Sequence, residues 1–568
     1  MVDCNEEGPT ILSCNPSDVE ILRLLEQHAP HQHNKGGVPA LVSTFVSTYN
    51  NPTTTAARTT TISSTTTSVG VVLQDEELLQ AVAIRLVLAM ALVIFDLNRI
   101  GDNDEDICYR HSGGLMITAA HEPEPYNGIL LMIDSDQYYA KSEESSCESE
   151  NPTVQLAACV HKVLEEEPQA VCDWFVTQRR QELPLVPAVL HMGYDTRRTS
   201  PDLADLVLKM ACVAGLEVWN HGEITTPCLR HVVRNYNRQR QLQHQRATTA
   251  APISSPYDED VSRYSNNTGY CNYLADAYAQ LVRTVVVPTC IDDYSAGTPS
   301  NGINGNSLLV DCAGGIGYLQ LRLVVIALQS RGIMRRIVAT NRIGSAPLNL
   351  CCGAHHVLRL TRGKEEAEGI ANFTTWYNTP PIGKVYCAAL SGDGSHSVFF
   401  SETSNFILAP HIVATLLCTF LQEELSKAEM PLLTMGVAIL VEKLDDDNEC
   451  VALKYLRERL DDSVPIITAP SGPQDQHQQQ RKGENLIPAW DVALLIHNGG
   501  HVGIKWGARF HQELTNRHRE PSEPNPHVQR LTSVACLCQD YPDGLATLLM
   551  VDAILQVQRK SLEDYKGD

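Results

Sequence analysis

Ser307-Leu-Leu-Val-Asp311 leads into the glycine turn Cys312-Ala-Gly-Gly-Ile-Gly317, an amphipathic stretch from Gly315 to Gln329, and a further β-rich run, Ile337-Val-Ala339. A β-rich run, a turn, a stretch at helical period and another β-rich run make one βαβ unit. The order recurs downstream, where Val492-Ala-Leu-Leu-Ile496 follows the helix-like Cys450 to Leu460. Repeated βαβ units predict an α/β protein with largely parallel sheets covered by helices on both faces. Three runs end in glycine-rich turns, at 311–317, at Ser391-Gly-Asp-Gly394 and at His497-Asn-Gly-Gly-His501. Ligands of open α/β sheets bind at the carboxyl ends of strands, which makes these turns candidate sites, although any tight turn uses glycine.

The 568 residues include 44 Lys+Arg and 67 Asp+Glu, a net charge of −23 with His neutral. That balance argues against nucleic acid and against an anionic membrane surface as partners. With 43% hydrophobic and 20% charged residues the chain is globular, and at roughly 150 residues per domain it has room for three or four domains. The 18 cysteines include no CxxC pair, and only Cys351 and Cys352 are adjacent. Neither a zinc site nor a small disulfide framework is indicated, and reduced thiols in the cytoplasm fit best. The start, MVDCNEEGPT, lacks a basic region followed by an apolar stretch, so no secretory signal is expected, and the sequons at Asn266 and Asn372 read as chance. Leu78 to Leu97 is strongly apolar but carries Arg85 and Asp96 at helical period, which predicts a buried helix rather than a membrane span. Four biased segments read as loops: Thr/Ser-rich Pro52 to Ser68, acidic Ser142 to Glu150, Gln/Arg-rich Arg238 to Ala250 and Gln-rich Gln474 to Lys482. The basic run Arg234 to Arg246 has only Tyr236 as an aromatic neighbour and reads as a solvated loop rather than an RNA contact.

A longer series of motifs resembles the α-D-phosphohexomutase superfamily, and within it the eukaryotic phosphoacetylglucosamine mutase branch. It begins at Gly114-Leu-Met-Ile-Thr-Ala-Ala-His-Glu-Pro-Glu-Pro-Tyr-Asn-Gly128, similar to the family's phosphoserine loop. It continues through Gly193-Tyr-Asp-Thr-Arg197, His221-Gly-Glu-Ile-Thr-Thr-Pro227, Val310-Asp-Cys-Ala-Gly-Gly-Ile-Gly317 and Leu348-Asn-Leu-Cys-Cys-Gly-Ala354. The metal loop falls at Leu390 to His396, the sugar loop at Ile496 to Val502, and a last match at Asp543 to Leu555. The resemblance implies three consecutive α/β domains with mixed sheets between helices. They are expected at 1–205, 206–400 and 401–545, followed by a helical tail at 546–568. The family's fourth, phosphate-binding domain is expected to be absent.

The resemblance also implies a reaction: a phosphoserine passes its phosphoryl group to a hexose phosphate and regains one from the bisphosphate. Positioning and charge stabilisation carry such chemistry. The phosphoserine position falls on Ala120, beside His121, and a methyl group cannot accept a phosphoryl group. Glu122 follows where the family has Asn. Thr118 and Ser112 are the nearby hydroxyls that could substitute. The family's metal loop supplies three carboxylates to Mg²⁺ at alternate positions. Here those positions are Ser391, Asp393 and Ser395, and the following Arg is His396, so the Mg²⁺ of the family is not expected to bind well. In the sugar loop His497 stands for a Glu, followed by Asn498, with Gly500 and His501 kept. His396, His497, Asn498, Gly500 and His501 are the expected substrate contacts. The Arg that supports the phosphoserine loop in the family is Val72. These losses predict a non-catalytic paralogue that binds a sugar phosphate such as N-acetylglucosamine phosphate, or docks on an active mutase or another protein. The alternative is a working mutase, interconverting N-acetylglucosamine 6-phosphate and 1-phosphate for UDP-N-acetylglucosamine synthesis.

Overall fold

The computed structural model describes residues 10–12, 18–29, 61–65, 68–98, 111–120, 122–133, 152–181, 188–248, 266–283, 307–345, 347–360, 385–400, 407–430, 437–442, 446–460, 464–469, 491–496, 501–519, 525–539, 541–560 and 564. They form two compact units, 1–270 and 271–568. Mixed sheets packed with helices make up both, as expected of the α/β class.

The first unit runs β1 (Thr10–Leu12), α1 (Asp18–Gln27), β2 (Thr61–Thr65), β3 (Ser68–Leu73), α2 (Glu76–Leu97), β4 (Ser112–Ile117), β5 (Asn127–Ile133), α3 (Pro152–Glu165), α4 (Pro168–Gln181), β6 (Ala188–Tyr194), α5 (Ser200–Ala214), β7 (Leu216–Glu223) and α6 (Thr226–Thr248). Its seven strands lie in the order β1-β7-β6-β4-β5-β3-β2. The centre, β4-β6-β7, is parallel, and the flanking pairs are antiparallel. Helix α2 is long and apolar enough to cross a membrane, yet 94% of its most apolar window is buried inside the protein. It is the core helix the sequence predicted. Asp75 caps its N-terminus by accepting the Leu78 N–H at 2.9 Å. Its buried Arg85 donates to the carbonyls of Val163 and Glu166, both at 2.6 Å, satisfying the C-terminal end of α3. Burial draws the Arg85 pKa down to about 10.

The second unit begins within α7 (Asn267–Arg283) and continues through β8 (Ser307–Asp311), α8 (Gly317–Ser330), β9 (Ile337–Thr340), α9 (Gly353–Leu360), β10 (Val385–Leu390), β11 (Ser397–Phe400), β12 (Ile407–Leu408) and α10 (Pro410–Lys427). It ends with β13 (Val437–Glu442), α11 (Asp446–Arg459), β14 (Ile466–Ala469), β15 (Val492–Ile496), β16 (Val502–Trp506), α12 (Ala508–Arg519), α13 (Pro526–Leu537) and α14 (Gly544–Gln558). One sheet is ordered β12-β11-β10-β8-β9 and the other β14-β13-β15-β16. The βαβ unit read at 307–339 is present: β8 and β9 are parallel neighbours joined through α8. The sheets are less parallel than alternation alone predicted, because β11, β12 and β16 return antiparallel through short connections.

Two loop readings are corrected, and the sheets cross the domain limits expected at 205 and 400. Residue 205 lies inside α5, and β7 pairs with β6, so the first sheet extends to Glu223. Residue 400 ends β11, whose partner β12 carries the second sheet to Leu408. The Thr/Ser-rich segment is not all loop: Thr61–Thr65 forms β2, consistent with the strand preference of β-branched Thr. The Gln/Arg-rich segment continues α6 to Thr248, since Gln and Arg are good helix formers. The acidic segment 142–150 and the Gln-rich segment 474–482 lie outside the described residues. Helix α14, expected at the end of the matched motifs as a helical tail, packs within the second unit. Asp552, fully buried on it, accepts the Tyr278 hydroxyl at 2.6 Å and pairs with Arg335 at 2.8 Å, tying α14 to α7 and to the approach to β9.

Candidate functional site

In the first unit, β4 runs fully buried to Ile117 and opens into the turn 118–126. Thr118, 4% exposed, donates its hydroxyl to Asp195 Oδ2 at 2.7 Å and accepts the Ala120 N–H at 3.1 Å. That short link holds Ala120 in a left-handed conformation, φ +27°. Asp195 is buried and also accepts the Ser200 hydroxyl and the Arg197 N–H, both at 3.1 Å. Its carboxylate pairs with the buried Arg197 guanidinium, which reaches over the turn to the carbonyls of Glu122 and Tyr126. Asn127 closes the base by donating to Thr199 and Ser200 at 3.0 Å. Register places Val72 opposite Gly128, beside the same turn. These polar groups hold the turn, and the Ala120 methyl adds no reactive atom.

In the second unit, β10 ends at Leu390 and the hairpin to β11 holds residues 391–396. Asp393, 1% exposed, accepts at Oδ1 from Ser391 Oγ (2.8 Å), Ser395 Oγ (2.7 Å) and Ser395 N (3.1 Å). The two serine oxygens are 3.3 Å apart. An ionised carboxylate only accepts, so both hydroxyl protons point to Asp393. Ser395 Oγ then receives the His396 Nδ1–H at 2.7 Å, which fixes the tautomer of that ring. Neighbouring loops clamp the backbone: Gly392 N donates to Asn349 Oδ1 at 3.0 Å, Ile316 N to Gly392 O at 3.1 Å and Gly544 N to Gly394 O at 3.0 Å. The approach demands glycine. A Cβ at Gly315 would lie 2.1 Å from Gly392 O, and one at Gly544 would lie 2.4 Å from His396 O. Across the loop, the His396 and His501 rings stand nearly perpendicular with centroids 6.3 Å apart. His501, Ser395, Ser397 and Thr547 line a cavity of about 20 Å³.

Residues 170–243 match the family described as phosphoglucomutase/phosphomannomutase, alpha/beta/alpha domain I. Phosphoacetylglucosamine mutase of Mus musculus is 23% identical over 469 residues, covering 80% of this chain and 71% of that protein. Phosphoacetylglucosamine mutase 1 of Schizosaccharomyces pombe is 24% identical over 454 residues, covering 78% and 73%. The fold matches a solved N-acetylglucosamine-phosphate mutase in its substrate complex with TM-score 0.64 at 16% identity, covering 97% of this chain and 83% of that one. The chain resembles the α-D-phosphohexomutase superfamily in sequence and in fold. Another member, Aspergillus fumigatus N-acetylphosphoglucosamine mutase, is solved with GlcNAc-6P and magnesium and matches with TM-score 0.61 at 20% identity, covering 97% and 83%. The residues in this chain's 391–396 loop do not fit that metal. One carboxylate remains, its Oδ1 already takes three hydrogen bonds, and Mg²⁺ requires a near-octahedral oxygen shell. Among the described residues no group of three His, Cys, Asp or Glu could hold a metal ion.

The structure brings Ser391, Asp393, Ser395 and His396 into one cluster and sets His501 beside it. Ala120 and Thr118 form part of the turn on the first unit, with Thr118 as its anchor. Ser112 is corrected. It opens β4, at the far end of the strand from Ala120, and donates its hydroxyl to Asn237 Oδ1 at 2.9 Å. At about 3.3 Å per strand residue it sits far from the turn. His121, His497, Asn498 and Gly500 lie outside the described residues. Sequence reading gave no role to Asp195, Asn127 or Asn349, which position the turns. The signal for all three was their place inside the matched stretches 114–128, 193–197 and 348–354.

Proposed function

We propose that this chain is a phosphoacetylglucosamine mutase-like protein that no longer carries out the mutase reaction and acts in the cytoplasm as a sugar-phosphate-binding or interaction scaffold. The observation that carries the reading is Ala120: the turn around it is kept in full by Thr118, Asp195 and Arg197, while the position expected to bear the nucleophile ends in a methyl group. The hydroxyl-bonded loop at 391–396 supports it from the second unit. Thr118 is a poor substitute acceptor, because its buried hydroxyl is already given to Asp195. Sugar-phosphate binding by a chain with alanine in place of a serine has support from a similar structure. A serine-to-alanine variant of the Aspergillus fumigatus enzyme is solved in complex with glucose 1,6-bisphosphate. N-acetylglucosamine phosphate is the ligand we assign, because a relative is solved with GlcNAc-6P. Thiols left free at Cys312, Cys351, Cys352 and Cys418 support the cytoplasmic placement.

The active-mutase reading draws on the relatives, which are described as phosphoacetylglucosamine mutases. A coupled assay on the full chain with Mg²⁺, N-acetylglucosamine 6-phosphate and a bisphosphate activator separates the two. The scaffold reading expects no turnover, together with saturable binding of N-acetylglucosamine 6-phosphate by calorimetry or capture of a protein partner in its place. Turnover by the unmodified chain, abolished by Thr118→Val, would establish the enzyme reading.

A further inference from the structure

The oxygens around Asp393 keep the arrangement of a cation site while lacking its charge. Residues 391, 393 and 395 alternate along the turn and converge, with Ser391 Oγ and Ser395 Oγ at 2.8 and 2.7 Å from Asp393 Oδ1 and 3.3 Å from each other. The 2.7 and 2.8 Å separations are those of ordinary hydroxyl–carboxylate hydrogen bonds, and they come close to the spacing of about 2.9 Å between adjacent oxygens on an octahedral Mg²⁺. Here two hydroxyl protons fill the gaps between oxygens. A buried carboxylate is costly without partners, and three donors satisfy this one. The loop backbone is clamped independently by Asn349, Ile316 and Gly544.

We propose that the 391–396 loop is a cation-free replacement for a divalent-metal loop. The Ser391 and Ser395 hydroxyls bind the three oxygens together as an ion otherwise does, and carboxylates returned to 391 and 395 make the loop a divalent-cation site again. This deepens the reading that the mutase reaction is lost, and its test uses no turnover. The full chain and its Ser391→Asp/Ser395→Asp variant are melted in EDTA and in saturating Mg²⁺, and titrated with Mg²⁺ calorimetrically. The unmodified chain is expected to melt at the same temperature in both solutions and to give no saturable heat. The double variant is expected to melt lower than the unmodified chain in EDTA, where three carboxylates repel. Mg²⁺ at about 100 times its dissociation constant should raise that melting temperature by about 5–10 °C. Saturable one-to-one Mg²⁺ binding by the unmodified chain overturns the proposal, as does a folded double variant that ignores Mg²⁺. Should the double variant fail to fold in either solution, Ser391→Ala and Ser395→Ala carry the test. Each must lower the melting temperature equally with and without Mg²⁺, and no loss in either overturns the proposal. A chain that turns over substrate yet ignores Mg²⁺ removes the proposed function and leaves this inference standing.

Discussion

Asp195 is the residue on which the first turn depends. It receives Thr118, Ser200 and the Arg197 N–H and faces the Arg197 guanidinium, all out of water. Asp195→Ala leaves a buried guanidinium without its carboxylate and is expected to cost about 3–5 kcal/mol, measured by urea unfolding. Thr118→Val removes one hydroxyl and should cost about 1–3 kcal/mol in the same experiment. His191 and His221 make a second residue-scale case. Their rings stack, with His191 Nδ1 3.0 Å from His221 Nε2. Burial is the main cause that holds His191 well below the ordinary histidine value and brings His221 to about 4. Between about pH 6.5 and 4 the unfolded chain therefore binds more protons, and stability falls as pH drops through that window. The fall from 6.5 to about 4 at His221 alone is worth up to roughly 3 kcal/mol. Melting curves at stepped pH should show it, and a His221→Phe variant should flatten the profile; an unchanged profile would remove this account.

At the scale of elements, sequence patterns were legible where they were local. The 307–339 unit, the apolar α2 and the strand ends carrying the three candidate turns all follow from periodicity and from glycine placement. The Thr/Ser-rich stretch misled because composition names a loop, whereas pairing with β3 makes Thr61–Thr65 a strand. Helix α14 misled in the other direction. Its place at the C-terminal end of the motif series reads as a tail, but its backbone at Gly544 touches the 391–396 loop, 148 residues earlier at His396 (544 − 396 = 148). Gly544→Val is expected to push that loop and α14 apart and to destabilise by about 1–3 kcal/mol or more, read as loss of amide protection in residues 391–396. Retained protection there would show that the contact is dispensable.

For the whole molecule, the two compact units are expected to respond separately to substitution. Asp552 binds Tyr278 and Arg335 within the second unit, and Asp552→Ala leaves Arg335 without its carboxylate. Hydrogen exchange after that change should show protection lost across the second unit and retained in the sheet of the first. Loss of equal size in both would mean that the chain unfolds as one body.

The sequence by itself determined the α/β class, the resemblance to the phosphohexomutases and the departures from their motifs, because motif order and the identity of single atoms, a methyl at 120 and hydroxyls at 391 and 395, are written in one dimension. Only the tertiary structure decided what those atoms bind. Hydrogen bonds from Thr118 to Asp195, from Asn349 to Gly392 and from two serines to Asp393 join residues by distance and direction. Those quantities come into being when separate strand ends are packed side by side, and residue spacing along a chain does not contain them.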